Sequence, residues 1–110
     1  MTTDRELLEL AAKAAGLRVR TWEGHSGARC AIDDGRHGLM WMPLTDDGDA
    51  LRLAVKLKID IHQRVAEPRV AAVAAMHSPK IESVPDESQR LSATRAVIVR
   101  AAAAIGKAMK

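Results

Sequence analysis

Trp41-Met42-Pro43-Leu44-Thr45-Asp46-Asp47-Gly48-Asp49-Ala50-Leu51-Arg52-Leu53-Ala54-Val55-Lys56-Leu57 is the stretch that decides the fold. Its first two residues end an apolar run, Gly38 to Met42, of strand character, and Pro43 stops it because proline cannot donate to a ladder. Thr45 or Asp46 then offers a side-chain oxygen to cap a helix, and the carboxylates of Asp46, Asp47 and Asp49 suit its positive end. From Asp49 to Lys58, at about 100° per residue, Leu51, Leu53, Ala54, Val55 and Leu57 sweep a wide apolar arc. Asp49, Arg52 and Lys56 share a narrow polar stripe, so the spacing predicts a helix lying largely buried against a sheet.

Toward the N-terminus, Leu7, Leu8, Leu10, Ala11, Ala14 and Ala15 recur at helical spacing over Asp4 to Ala15. Thr3 and Glu6 form a capping pair, and Gly16 closes the helix. Leu17 to Trp22 alternates with period two, Glu23 to Gly27 supplies a turn, and Ala28 to Ile32 pairs back as a hairpin. Asp33-Asp34-Gly35 turns the chain again into the strand that ends at Pro43. Beyond the central helix, Ile59 to His62 reads as a fourth strand and Arg69 to Ala75 as a fifth, its alanines being weak strand formers. His77 to Pro85 lacks periodicity and reads as an exposed loop.

Pro85 suits a first helical position, and the alanine-rich chain to Lys110 forms a last helix. Leu91, Thr94, Val97, Ile98, Ala101, Ala102, Ile105 and Met109 fall on one stripe of it, with Arg95, Arg100, Lys107 and Lys110 opposite. No internal repeat is legible. The reading is a single α+β domain over residues 1–110, ordered α-β-β-β-α-β-β-α, with a mainly antiparallel sheet packed by three helices.

At 110 residues, 47% hydrophobic and 28% charged, the chain is of ordinary single-domain size and can bury a core. Its two aromatic residues are Trp22 and Trp41, so aliphatic side chains and many alanines must fill that core. Such a core buries little area per residue, at about 25 cal/mol per Å², and favours a dimer. Cys30, the one cysteine, has no internal partner, which argues for a reducing, cytoplasmic setting. The acidic start MTTDRELLEL is unlike a signal peptide, and no apolar run suits a membrane span. The net charge of +3 comes from 17 basic and 14 acidic residues, a nearly balanced surface.

Chemistry is sparse in this pattern. His25, His37, His62 and His77 stand too far apart for a zinc motif. Cys30 has nothing beside it in sequence to lower its pKa, and Ser26 lies in a Gly-flanked turn unlike a nucleophile elbow. Asp46, Asp47 and Asp49 lack the acidic twelfth residue of a calcium loop, where Leu57 stands. Gly24, Gly27, Gly35 and Gly38 read as turn glycines without the lysine of a phosphate loop. Trp22 and Trp41 read as the chain's largest core or rim residues, with core packing favoured and a base-stacking platform the alternative. No catalytic, cofactor or metal residue is assigned. The basic face of the last helix, Arg95, Arg100, Lys107 and Lys110, is the candidate contact for nucleic acid or another partner.

The stretch Trp41 to Leu57 resembles the central motif of small phage and prophage proteins described as the phage ABA sandwich domain. Ala93-Thr94-Arg95-Ala96-Val97-Ile98-Val99-Arg100-Ala101-Ala102 is similar to their closing helix. The resemblance implies an α-β-α sandwich of phage origin in a bacterial host cytoplasm, and it carries no activity or functional residue. The expectation is a non-enzymatic accessory protein without cofactor, binding a protein partner or itself as a homodimer, with nucleic-acid binding as the alternative and no membrane association.

Overall fold

The computed structural model describes residues 3–33 and 39–109. Helix α1 (Asp4–Ala15) opens on Thr3, whose hydroxyl accepts the Glu6 N–H at 3.1 Å, and it closes on Gly16 at φ 73°. Strands β1 (Val19–Gly24), β2 (Gly27–Ile32) and β3 (Leu39–Met40) form one antiparallel sheet in that order. The β1–β2 hairpin turns through His25 and Ser26, with Gly24 opposite Gly27 and Gly27 at φ 115°, a conformation that needs glycine. Most of the anticipated Asp33-Asp34-Gly35 turn lies outside the described residues.

Helix α2 (Asp47–Leu57) begins where the acidic turn predicts, capped by Asp46 rather than Thr45. A second antiparallel sheet follows, β4 (Asp60–Arg64), β5 (Arg69–Val73) and β6 (Lys80–Ser83), again in chain order. The α+β reading and its order of elements hold, with two small sheets where one was expected and one strand more. The alanine-containing segment is a strand, and β6 stands inside the expected loop. The final helix starts later than Pro85. Asp86 caps a single 3₁₀ turn, Glu87–Gln89, and α3 (Arg90–Ala108) continues from it.

The same unit, a helix then three antiparallel strands, occurs twice. Both leading helices end on a left-handed residue, Gly16 and Lys58. In both, the next N–H, of Leu17 or Ile59, reaches back to a carbonyl, Ala12 or Ala54, at 2.9 Å. Cys30 and Ala72, each 0% exposed, occupy the two central strands. Pro43 and Pro85 follow the two third strands, and each of these pairs stands forty-two residues apart.

Helix α3 joins the two units, packing against α1, α2, β5 and β6 while α1 covers β1 and β2. Its buried residues, Ala93, Val97, Ile98, Val99, Ala101, Ala102, Ala103 and Gly106, spread over more of its circumference than one stripe. Leu91 and Met109, expected on the stripe, are exposed. Helix α2 deviates the other way: Ala50, Leu53 and Ala54 are buried, but Leu51 and Val55 face outward at 59% and 66% exposure.

Where α1 meets α3, small residues bring the backbones together. A Cβ on Gly106 would stand 1.9 Å from the Leu10 carbonyl oxygen, so only glycine fits. Three residues further along each helix, the Lys13 ammonium donates to the Met109 carbonyl at 2.9 Å and caps the α3 C-terminus. Gly106→Ala is therefore expected to lower unfolding stability by about 1–3 kcal/mol through overpacking, although alanine is the better helix former. Urea unfolding checks this, and a variant as stable as the parent would refute the close contact.

Candidate functional site

The groups that sequence reading singles out for chemistry are placed apart. Cys30 is buried at the centre of β2, and burial, then the nearby Glu9 charge, pushes its thiol pKa up to about 11. Such a thiol is a poor nucleophile at neutral pH. His25 sits at the hairpin tip, His62 on β4 and His77 after β5, while His37 lies outside the described residues. Among the described residues no cluster of His, Cys, Asp and Glu could hold a metal ion.

The acidic turn is occupied by the protein's own donors. Asp46 accepts the Asp49 N–H at 2.8 Å, and Asp49 accepts the Met42 N–H at 2.9 Å and the Arg52 guanidinium at 2.7 Å. Asp47 takes Arg95. This locks the strand end to the helix start, which is the work the central motif performs.

The proposed basic face of α3 is divided by the same pairing. Arg95 donates to the Leu44 carbonyl at 3.0 Å and to Asp47, holding α3 to the start of α2. Arg100 turns to β6, reaching Glu82 at 3.0 Å. Lys107 is exposed, and Lys110 lies outside the described residues. Arg90, which sequence reading passed over, clamps the head of α3 to the second sheet. Its guanidinium meets Glu87 at 2.6 Å, Gln63 at 2.8 Å, and the carbonyls of Arg64 and Arg69. The hydrogen bond from Arg90 holds the Glu87 carboxyl below its ordinary pKa.

The outer faces of the two sheets remain toward solvent. In the second, Val70 and Ala72 point inward and are fully buried in the core that α3 shares. Strand alternation and register put Asp60 and Val73, then His62, Ala71 and Ile81, then Arg64, Arg69 and Ser83, in rows on the other side. Ile81 is 49% exposed there, beside a depression of about 350 Å³. Glu67 pairs with Arg69 at its rim.

In the first sheet, Thr21 and Cys30 face α1, where Thr21 accepts from Arg5 at 2.9 Å and donates to Glu9 at 3.3 Å. The opposite side carries Arg18, just before β1, Arg20 and Trp22 from β1, Arg29 and Ala31 from β2, and Met40 from β3. Trp41 is core, as expected, at 5% exposure, but Trp22 stands 41% exposed between arginines. The period-two pattern Arg18-Val19-Arg20-Thr21-Trp22 contained that signal, since it sets both arginines and the tryptophan on one side.

Among the described residues no helix is long and apolar enough to cross a membrane. Compared with protein-family models, curated proteins and solved structures, the chain gives no match.

The enclosed thiol sets a chemical test. Native protein at pH 8 is expected to leave Cys30 unmodified by an alkylating reagent, whereas urea-unfolded protein reacts fully. Because the native pKa lies above the ordinary value of 9.0, the contribution of the protonated thiol to stability is present below about pH 9 and is lost as pH rises toward 11. Rapid native labelling would show that the site is open.

Proposed function

We propose that this chain is a non-enzymatic accessory protein of phage or prophage origin, similar to the phage ABA sandwich proteins, which works in the host cytoplasm by associating with protein. The occupant best supported for its docking surface is a second copy. The observation that carries this is the outer face of β4, β5 and β6.

Its middle row sets Ala71 and Ile81 beside His62, and Val73 adjoins them in the next row. Its ends carry opposite charge, Asp60 at one and Arg64 at the other, where Arg69 is paired with Glu67. A twofold axis lying between two such faces, across the strands, sets the acidic end of each copy over the basic end of its mate. An apolar centre inside a polar rim is the anatomy of a protein interface. The alanine-rich core supports the same reading, since a dimer adds burial that one copy supplies thinly. The alternative, nucleic acid bound along α3, has less support because Arg95 and Arg100 are engaged with Asp47 and Glu82.

Sedimentation across a concentration series tests the dimer. The parent chain is expected to dimerise, and Ile81→Glu, which places charge at an exposed position, to weaken the dimer at least about tenfold with its melting temperature kept. A parent chain monomeric at millimolar concentration, or a dimer indifferent to Ile81→Glu, would overturn the assignment.

A further inference from the structure

We propose that the outer face of the first sheet is a binding site for single-stranded nucleic acid, with Trp22 stacking on a base and Arg18, Arg20 and Arg29 neutralising phosphates. Four observations meet there. Trp22 is 41% exposed although it is one of two aromatic residues in the chain. Arg29 stands directly across the strand pair from Trp22, with Arg20 diagonal to it. Residues two apart on a strand lie about 7 Å from one another, so Arg18, Arg20 and Trp22 repeat on a scale suited to an extended sugar-phosphate chain.

Toward the hairpin tip the surroundings of the tryptophan are flat. Gly24 and Gly27 occupy the neighbouring positions there, and the absent side chain of Gly24 leaves room for Arg29. A Cβ there would meet the Arg29 Cγ at 2.6 Å, so the arginine stem lies over the glycine. An exposed aromatic flanked by guanidinium groups and bordered by glycines is an arrangement on which unstacked bases sit.

Charge favours the same occupant. Arg18, Arg20 and Arg29 have no carboxylate partner among the described residues, unlike Arg5, Arg52, Arg69, Arg90, Arg95 and Arg100. Among the described residues, Asp33 stands opposite Arg18 at the far end of this face and His25 at the hairpin tip. Glu23 alternates to the other side, toward α1. An acidic peptide would satisfy the arginines but would leave Trp22 without a planar partner, which makes it the weaker fit.

The probes are fluorescently labelled oligo(dT) and oligo(U), with a duplex of equal length, titrated at low salt against the full chain. Single strands are expected to bind and to quench Trp22 emission, Trp41 being buried and a constant background. The affinity should fall with salt on a log-log slope of about −2, as for three phosphate contacts on a single strand. By anisotropy, Trp22→Ala should bind about tenfold more weakly and Trp22→Phe near the parent value, while Arg20→Glu with Arg29→Glu abolishes binding. Circular dichroism confirms folding, and Lys107→Glu, on α3, leaves the affinity unchanged.

Equal affinity for the duplex, unaltered binding by Trp22→Ala, or no binding at the lowest salt would each overturn this site. Ile81→Glu separates it from the dimer face: that variant loses self-association and keeps the oligonucleotide.

Discussion

The close approach of α1 and α3 is the constraint on which the rest of the structure depends. With no Phe or Tyr and Trp41 as the one buried aromatic, the chain cannot fill a wide gap between helices. It closes the gap instead. Ala11, Ala12 and Ala15 on α1 and Ala102, Ala103 and Gly106 on α3 are almost wholly enclosed, and the glycine brings its backbone onto the Leu10 carbonyl. Small side chains bury little area each, but near-contact of two backbones recovers dispersion energy that a looser packing forfeits. Once α3 is held this way, its other sides fall against α2 and the second sheet.

That placement explains why the arginines of α3 serve the fold. A helix packed by four elements has no broad solvated side over most of its length, so each of its three arginines finds a partner on whichever neighbour flanks it. Arg90 takes the second sheet, Arg95 the head of α2, and Arg100 the edge strand β6. Arg95 and Arg100 are five residues apart, about 140° around the helix, and so serve opposite flanks. Pairs this exposed contribute little stability individually. Their effect is to fix the azimuth of α3 relative to the elements it joins.

Local signals were readable because they act within a few residues. The Thr3–Glu6 cap, the Gly16 stop and the acidic turn before α2 all appear where side-chain chemistry places them. The hairpin follows from alternation closed by glycines. Strand β6 was not readable: Lys80-Ile81-Glu82-Ser83 has one large apolar residue, lies between two prolines, and owes its existence to pairing with β5. Leu51 and Val55 count as apolar on a helical wheel, yet nothing covers that side of α2. Alanine misleads on α3 for the opposite reason, since it buries readily on several sides and blurs any stripe. The pairing of Arg95 with Asp47 joins residues 48 positions apart, beyond reach of any local pattern. The repeat is not legible in the sequence because its equivalent positions share geometry rather than side chains, as Gly16 and Lys58 show.

The two copies of the helix-and-three-strands unit share a frame and differ in what their outer faces carry. Each has an inner face closed by a helix, α1 over one sheet and α3 over the other, which leaves one side of each sheet to solvent. On the second sheet, apolar residues take the middle and opposite charges the ends. On the first, the uncovered residues are arginines around a tryptophan. A net charge of +3 hides this asymmetry, because Asp46, Asp47, Asp49, Glu82 and Glu87 are engaged by arginines of α2 and α3. The same carboxylates are absent from the outer side of β1 and β2, so a balanced composition yields a locally unbalanced face. Charge that the fold does not consume, gathered beside an aromatic that the core does not take, is surface disposed to meet something other than water.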